Sequence, residues 1–154
     1  LAAEFDLELI IEGGAEAGLV ARQLADAEVP VVLGAMAPSG PYVRSRHRRV
    51  DPSMMAMLSA AGVEWVLGGT GTSSEGSRFV WLNAMRAAQV AGADPLTLVT
   101  RDAASFLGLP AHGLVRRGAA ADVVLWSADP QEPTARVVRV YVDGKVVYEG
   151  EQGE

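Results

Sequence analysis

Residues 7–34 read LELIIEGGAEAGLVARQLADAEVPVVLG, and this stretch decides the fold. Leu7-Glu8-Leu9-Ile10-Ile11 is a short apolar run with β-branched members, closed by Gly13-Gly14, and it predicts a strand. Ala15 to Ala27 place Leu19, Val20, Gln23 and Leu24 at helical spacing, which predicts an amphipathic helix with those residues on one face. Pro30-Val31-Val32-Leu33-Gly34 predicts a second, buried strand. Strand, helix, strand at this spacing implies a parallel pair, because parallel strands need a crossover between them.

The same rhythm continues outward. Pro38, Gly40 and Pro41 interrupt regular structure. Asp51-Pro52 is then a helix start, with a capping side chain followed by proline at the first helical position. Met54, Met55, Met57 and Leu58 are expected to face the core from that helix, with methionine as flexible filler. A third strand is expected over Val63–Leu67, followed by Gly68-Gly69-Thr70-Gly71-Thr72, and a further helix over about Ser77–Ala91. Asp94-Pro95 repeats the helix-start signal, and that helix is expected to close near Gly108.

The texture changes after Pro110. Ala121–Trp126 reads as a strand, and Arg136–Val142 and Lys145–Tyr148 flank Asp143-Gly144, a type I′ hairpin signal. The organisation expected is therefore α/β over residues 1–109, then a small β-domain over 110–154.

Composition sets the outer bounds. The chain has 154 residues, 49% hydrophobic and 21% charged, which suits a globular domain with a core. A net charge of −6 argues against a nucleic-acid partner for the chain as a whole. Its apolar runs are too short to span a bilayer, and no signal peptide is visible, so no membrane partner is expected. The absence of cysteine removes disulfides and thiolate metal ligands, and assigns no compartment. The first residue is Leu1 rather than methionine, so further sequence is expected upstream.

The closing segment carries a family resemblance. Gly113-Leu114-Val115-Arg116-Arg117-Gly118-Ala119-Ala120-Ala121-Asp122-Val123-Val124-Leu125-Trp126 resembles the G-S-L-x-P-G-K-x-A-D-L-V-V segment of amidohydrolases. Asp129-Pro130 and the hairpin Val140–Tyr148 resemble that family's closing strands, and Thr97–Gly108 resembles its A-L-R-A-x-T-x-N-P-A-x-x-L-G helix. In that helix Asp102 stands where asparagine is usual, and Ala103 where proline is usual. Leu1–Gly34 resembles the unit holding the sixth and seventh barrel strands, and the branch most resembled is the imidazolonepropionase-like one. The resemblance implies the last three βα units of a partial (β/α)8 TIM-type barrel, followed by a β-sandwich portion ending in a hairpin. It also implies a hydrolase of C–N bonds, a small-molecule substrate, and a divalent metal such as zinc activating water.

The departures concern that metal. The resemblance places a metal-binding histidine after strand six, where this chain has Ile11-Glu12-Gly13-Gly14, with Gly13 in the histidine's place. It places an aspartate after strand eight, where Thr70 or Gly71 stands here. The remaining ligands would lie upstream of Leu1. No metal ligand and no catalytic residue is therefore assigned within this chain, and the fragment alone is expected to be inactive.

Among candidate binding residues, Arg44-Ser45-Arg46-His47-Arg48-Arg49 is a basic run in an acidic chain, following a strand's carboxyl end. Arg44, Arg46, His47 and Arg49, with Thr70, are candidates for holding a substrate carboxylate or another anion. The plain alternative is a solvated loop paired with nearby acids. Gly68–Thr72 could cradle a phosphate but lacks the lysine of a P-loop. His112 is expected in an exposed turn, Glu12 as structure, and Trp65, Trp81 and Trp126 as packing residues. Three functional readings stand: an amidohydrolase-type enzyme, a non-catalytic relative serving binding or assembly, and a free-standing α/β nucleotide-binding domain. A barrel portion would also leave sheet edges open, which favours self-association or pairing with a missing amino-terminal segment.

Overall fold

The structure is a computed structural model that describes residues 4–14, 16–34, 53–68 and 80–150. Three short strands, β1 (Ile11–Gly13), β2 (Val31–Leu33) and β3 (Trp65–Leu67), form a parallel sheet in the order β1-β2-β3. A 3-10 turn (Ala17–Val20) and helix α1 (Ala21–Asp26) join β1 to β2. Helix α2 (Met54–Ala61) precedes β3. Helices α3 (Val80–Ala91), α4 (Pro95–Val99) and α5 (Arg101–Phe106) follow it. A second, antiparallel sheet has the order β4-β5-β6, from β4 (Val123–Trp126), β5 (Val137–Val142) and β6 (Lys145–Glu149).

Burial explains the centre of the parallel sheet. β2 has neighbours on both sides, and Val31 and Leu33 are fully buried against Leu24, Met55 and Leu58. Burying each such side chain contributes about 1.5–3 kcal/mol. Ala87 of α3 and Leu98 of α4 complete the same core.

Several expectations need correction. The first strand begins at Ile11, not Leu7, and Leu7, Leu9 and Ile10 are exposed. The ladder explains this: β2 is three residues long and registers with Ile11–Gly13, so the chain before Ile11 has no described strand to pair with. The helix expected over residues 15–27 is split into the 3-10 turn and α1, which rotates its face. Ala17, Gly18, Ala21 and Leu24 point inward, whereas Leu19 and Val20 are exposed. Gly18 brings the backbone close to α2, because a Cβ there would lie 3.2 Å from the Met54 Cα. Met54, Met55 and Leu58 are buried as expected, but Met57 is exposed.

The helix expected to run from Asp94 to Gly108 breaks at Thr100, whose φ of −121° and ψ of −89° are not helical. The Thr100 hydroxyl donates to the Leu96 carbonyl at 2.6 Å. Its own carbonyl lies so close to Gly113 that a Cβ there would sit 2.5 Å from the oxygen. The break thus doubles as the seat for the segment leading to β4. The start at Asp94-Pro95 is as read: Asp94 accepts from the Thr97 N–H at 2.9 Å and from the Thr97 hydroxyl at 2.6 Å.

The hairpin is also as read. Asp143 and Gly144 both have positive φ, 56° and 73°, which a type I′ turn demands. Two further bonds fasten this turn: the Asp143 N–H donates to the Asp122 carboxylate at 2.8 Å, and the Gly144 N–H to the Ala121 carbonyl at 3.0 Å.

Candidate functional site

The carboxyl end of a parallel sheet is where α/β proteins place their ligands, because the loops leaving each strand converge there. Register brings Gly13, Leu33 and Leu67 side by side at this end. The next residue on each strand is a glycine: Gly14, Gly34 and Gly68. The Gly68 N–H donates to the Leu33 carbonyl at 2.8 Å, which carries the ladder one step past the strands.

Two of these glycines are fixed by packing. A Cβ on Gly14 would lie 2.6 Å from the Val31 Cγ1, and one on Gly68 would lie 2.5 Å from the Val32 Cγ1. Gly13 has open space around its Cβ position, but its φ of +92° is one that L side chains rarely adopt. Glu12 is exposed and registers with Val32 and, beyond it, Val66, so its row holds one carboxylate beside two valines.

The candidate anion-binding residues Arg44, Arg46, His47, Arg49 and Thr70 lie outside the described residues, as does Gly71. His112 is exposed, as expected, and its Nε2 lies 3.8 Å from the Asp122 carboxylate. That contact joins the turn after α5 to the residue that anchors the hairpin. The three tryptophans act in packing: Trp65 donates to the Ser59 hydroxyl at 2.9 Å, and Trp81 and Trp126 pair with each other.

One polar cluster was not anticipated. Arg139 of β5 donates to the Tyr141 hydroxyl at 3.2 Å and forms an ion pair with Glu149, its register partner on β6. The hydrogen bond to Tyr141 and the charge of Glu149 hold the guanidinium above its ordinary pKa. The signal was present in the alternation of Arg139 and Tyr141 along one strand, but only the register supplies Glu149. The cluster fastens β5 to β6. Asp94 is held below the usual carboxylate range, chiefly by the Thr97 hydroxyl and then by the Thr97 N–H, and this too is structural. Among the described residues, no group of three or more histidine, aspartate or glutamate side chains is placed to hold a metal ion.

Comparison with known proteins gives this geometry a context. The model of the amidohydrolase family matches residues 80–148. No curated protein matches the chain. Among solved structures, an amidohydrolase from Thermotoga maritima MSB8 is similar at 30% identity and a TM-score of 0.80, over 97% of this chain and 39% of that one. A prolidase complexed with N-methylphosphonate-L-proline is similar in fold at 20% identity and a TM-score of 0.73, over 92% of this chain and 40% of that one. A further amidohydrolase gives 20% identity and a TM-score of 0.70, over 99% of this chain and 42% of that one. The chain therefore spans about two-fifths of the length of the structures it matches. The amidohydrolase family model over residues 80–148 and the 30% identity with the Thermotoga amidohydrolase together support an amidohydrolase-superfamily protein, of whose length this chain corresponds to part.

Proposed function

We propose that this chain is part of a hydrolase that cleaves C–N bonds in a small-molecule substrate, and that it supplies closing βα units of the catalytic barrel. The observation that carries this reading is the joint match to the Thermotoga amidohydrolase, 30% identical over 97% of the chain. In this reading β1, β2 and β3 with their helices form a barrel arc over residues 1–109. The sheet β4-β5-β6 belongs to a small β-sandwich over residues 110–154. In this reading the chain would belong to the imidazolonepropionase-like branch that its sequence resembles. The basic run Arg44, Arg46, His47 and Arg49, with Thr70, would hold a carboxylate of the substrate.

The metal that this superfamily implies does not fit the strand ends described above. Gly13 has no side-chain donor, and Gly14 and Gly68 are packed so that none can be added without displacing Val31 or Val32. No step is therefore routed through a metal held by these strands. A second reading, a non-catalytic relative serving binding or assembly, is favoured by the same glycines. Incubating the full-length protein with amides, dipeptides and lactams and following amine release separates the two. Amine release that scales with protein supports the hydrolase; none from any class, with folded protein, supports the non-catalytic reading.

A further inference from the structure

The glycines at the carboxyl end of the parallel sheet differ in why they are glycine. Gly14 and Gly68 are glycine for packing, with the Val31 and Val32 side chains occupying the space a Cβ would take. Gly13 is glycine for backbone geometry: the space is open, but φ is +92°. A histidine at position 13, which the superfamily resemblance expects, would have room and would strain the backbone. The only acidic side chain within the three strands is Glu12, and its neighbours in register are Val32 and Val66. A transition-metal site needs at least three convergent donors from side chains, and one carboxylate flanked by valines does not supply them.

We infer that the described strand ends offer no side-chain metal ligation, by backbone geometry at Gly13 and by packing at Gly14 and Gly68, and that these strand ends hold no transition-metal ion. The inference rests on the amidohydrolase reading for its expectation of a metal at this place. Any hydrolysis by the full-length protein then proceeds without a metal held by these strands.

The test is elemental analysis of the chain after expression with added zinc and desalting, alongside the Gly13→His variant treated identically. The expected result is zinc far below one equivalent in both, with the variant showing a lower melting temperature. One tightly held zinc per wild-type chain overturns the inference. So does tight stoichiometric zinc gained by Gly13→His, since that would show a metal site needing only its missing side chain. Should the variant fail to fold, the wild-type measurement decides alone. Zinc content and turnover are read separately, so zinc-free protein without amine release defeats the hydrolase reading while supporting this one.

Discussion

The indole of Trp81 on α3 lies 6.5 Å, centroid to centroid, from that of Trp126 on β4, with the ring planes inclined at 36°. This tilted pair ties the helical part of the chain to the antiparallel sheet. Both rings are half-buried. An aromatic pair of this kind contributes about 0.5–1.5 kcal/mol beyond the area it buries. A double-mutant cycle with Trp81→Leu and Trp126→Leu should therefore give a coupling of about 1 kcal/mol in denaturant unfolding. A coupling near zero would mean that the contact is incidental and that other residues join the two parts.

The Gly68–Val32 contact makes a sharper prediction. Gly68→Ala should cost about 1–3 kcal/mol, the range for overpacking, because its Cβ would stand 2.5 Å from the Val32 Cγ1. Removing the obstacle should reverse the sign of the effect of adding that methyl: in a Val32→Ala background, Gly68→Ala should be neutral or stabilising. Equal destabilisation in both backgrounds would show that the backbone of Gly68, not the valine, forbids a side chain.

Asp94 predicts a pH-dependent cap. Asp94→Ala should cost about 1 kcal/mol at neutral pH by removing the bonds from Thr97 at the start of α4. The Asp94 carboxyl is held below its ordinary value of 3.8, so its contribution is fully present above that value and is lost as pH falls through the lower folded value. The stability gap between wild type and variant should thus be constant from neutral pH down to mildly acid conditions and close in stronger acid. A gap that closes on raising the pH instead would contradict this assignment.

Among the described residues the parallel sheet ends in β1 and β3, and the segment before β1 exposes Phe5, Leu7, Leu9 and Ile10. Open edges with adjoining apolar residues invite further pairing. The isolated chain should accordingly self-associate, with light scattering giving a mass above that of the monomer and rising with concentration. A compact monomer at all concentrations, with sharp cooperative unfolding, would show that the edges need no partner.

The parts of this fold legible in the sequence were those set by local chemistry. Asp94-Pro95 announced a capped helix and Asp143-Gly144 a type I′ turn, because each depends on backbone preferences of two or three adjacent residues. Val31 and Leu33 were legible as core because a short apolar run between turn signals has one economical place to go. The errors came where tertiary geometry overrode local pattern. The strand start moved from Leu7 to Ile11 because pairing with β2, not hydrophobicity, sets strand length. Leu19 and Val20 turned outward because the 3-10 turn rotated the face and Gly18 brought the backbone close to Met54. Thr100 broke a helix whose composition gave no warning, since the interruption answers to Gly113, thirteen residues on. At the candidate site, the sequence showed that Gly13 stands where a histidine was expected. It could not show the positive φ at Gly13, nor the valine contacts at Gly14 and Gly68.

The proposal that this chain belongs to a protein that hydrolyses C–N bonds is tested most directly by running candidate amide and lactam substrates with the full-length protein in heavy-oxygen water. Hydrolysis predicts one labelled oxygen in the new carboxylate for each amine released, detected by mass spectrometry. Amine release without label, or no turnover of any amide by folded protein, would contradict the account.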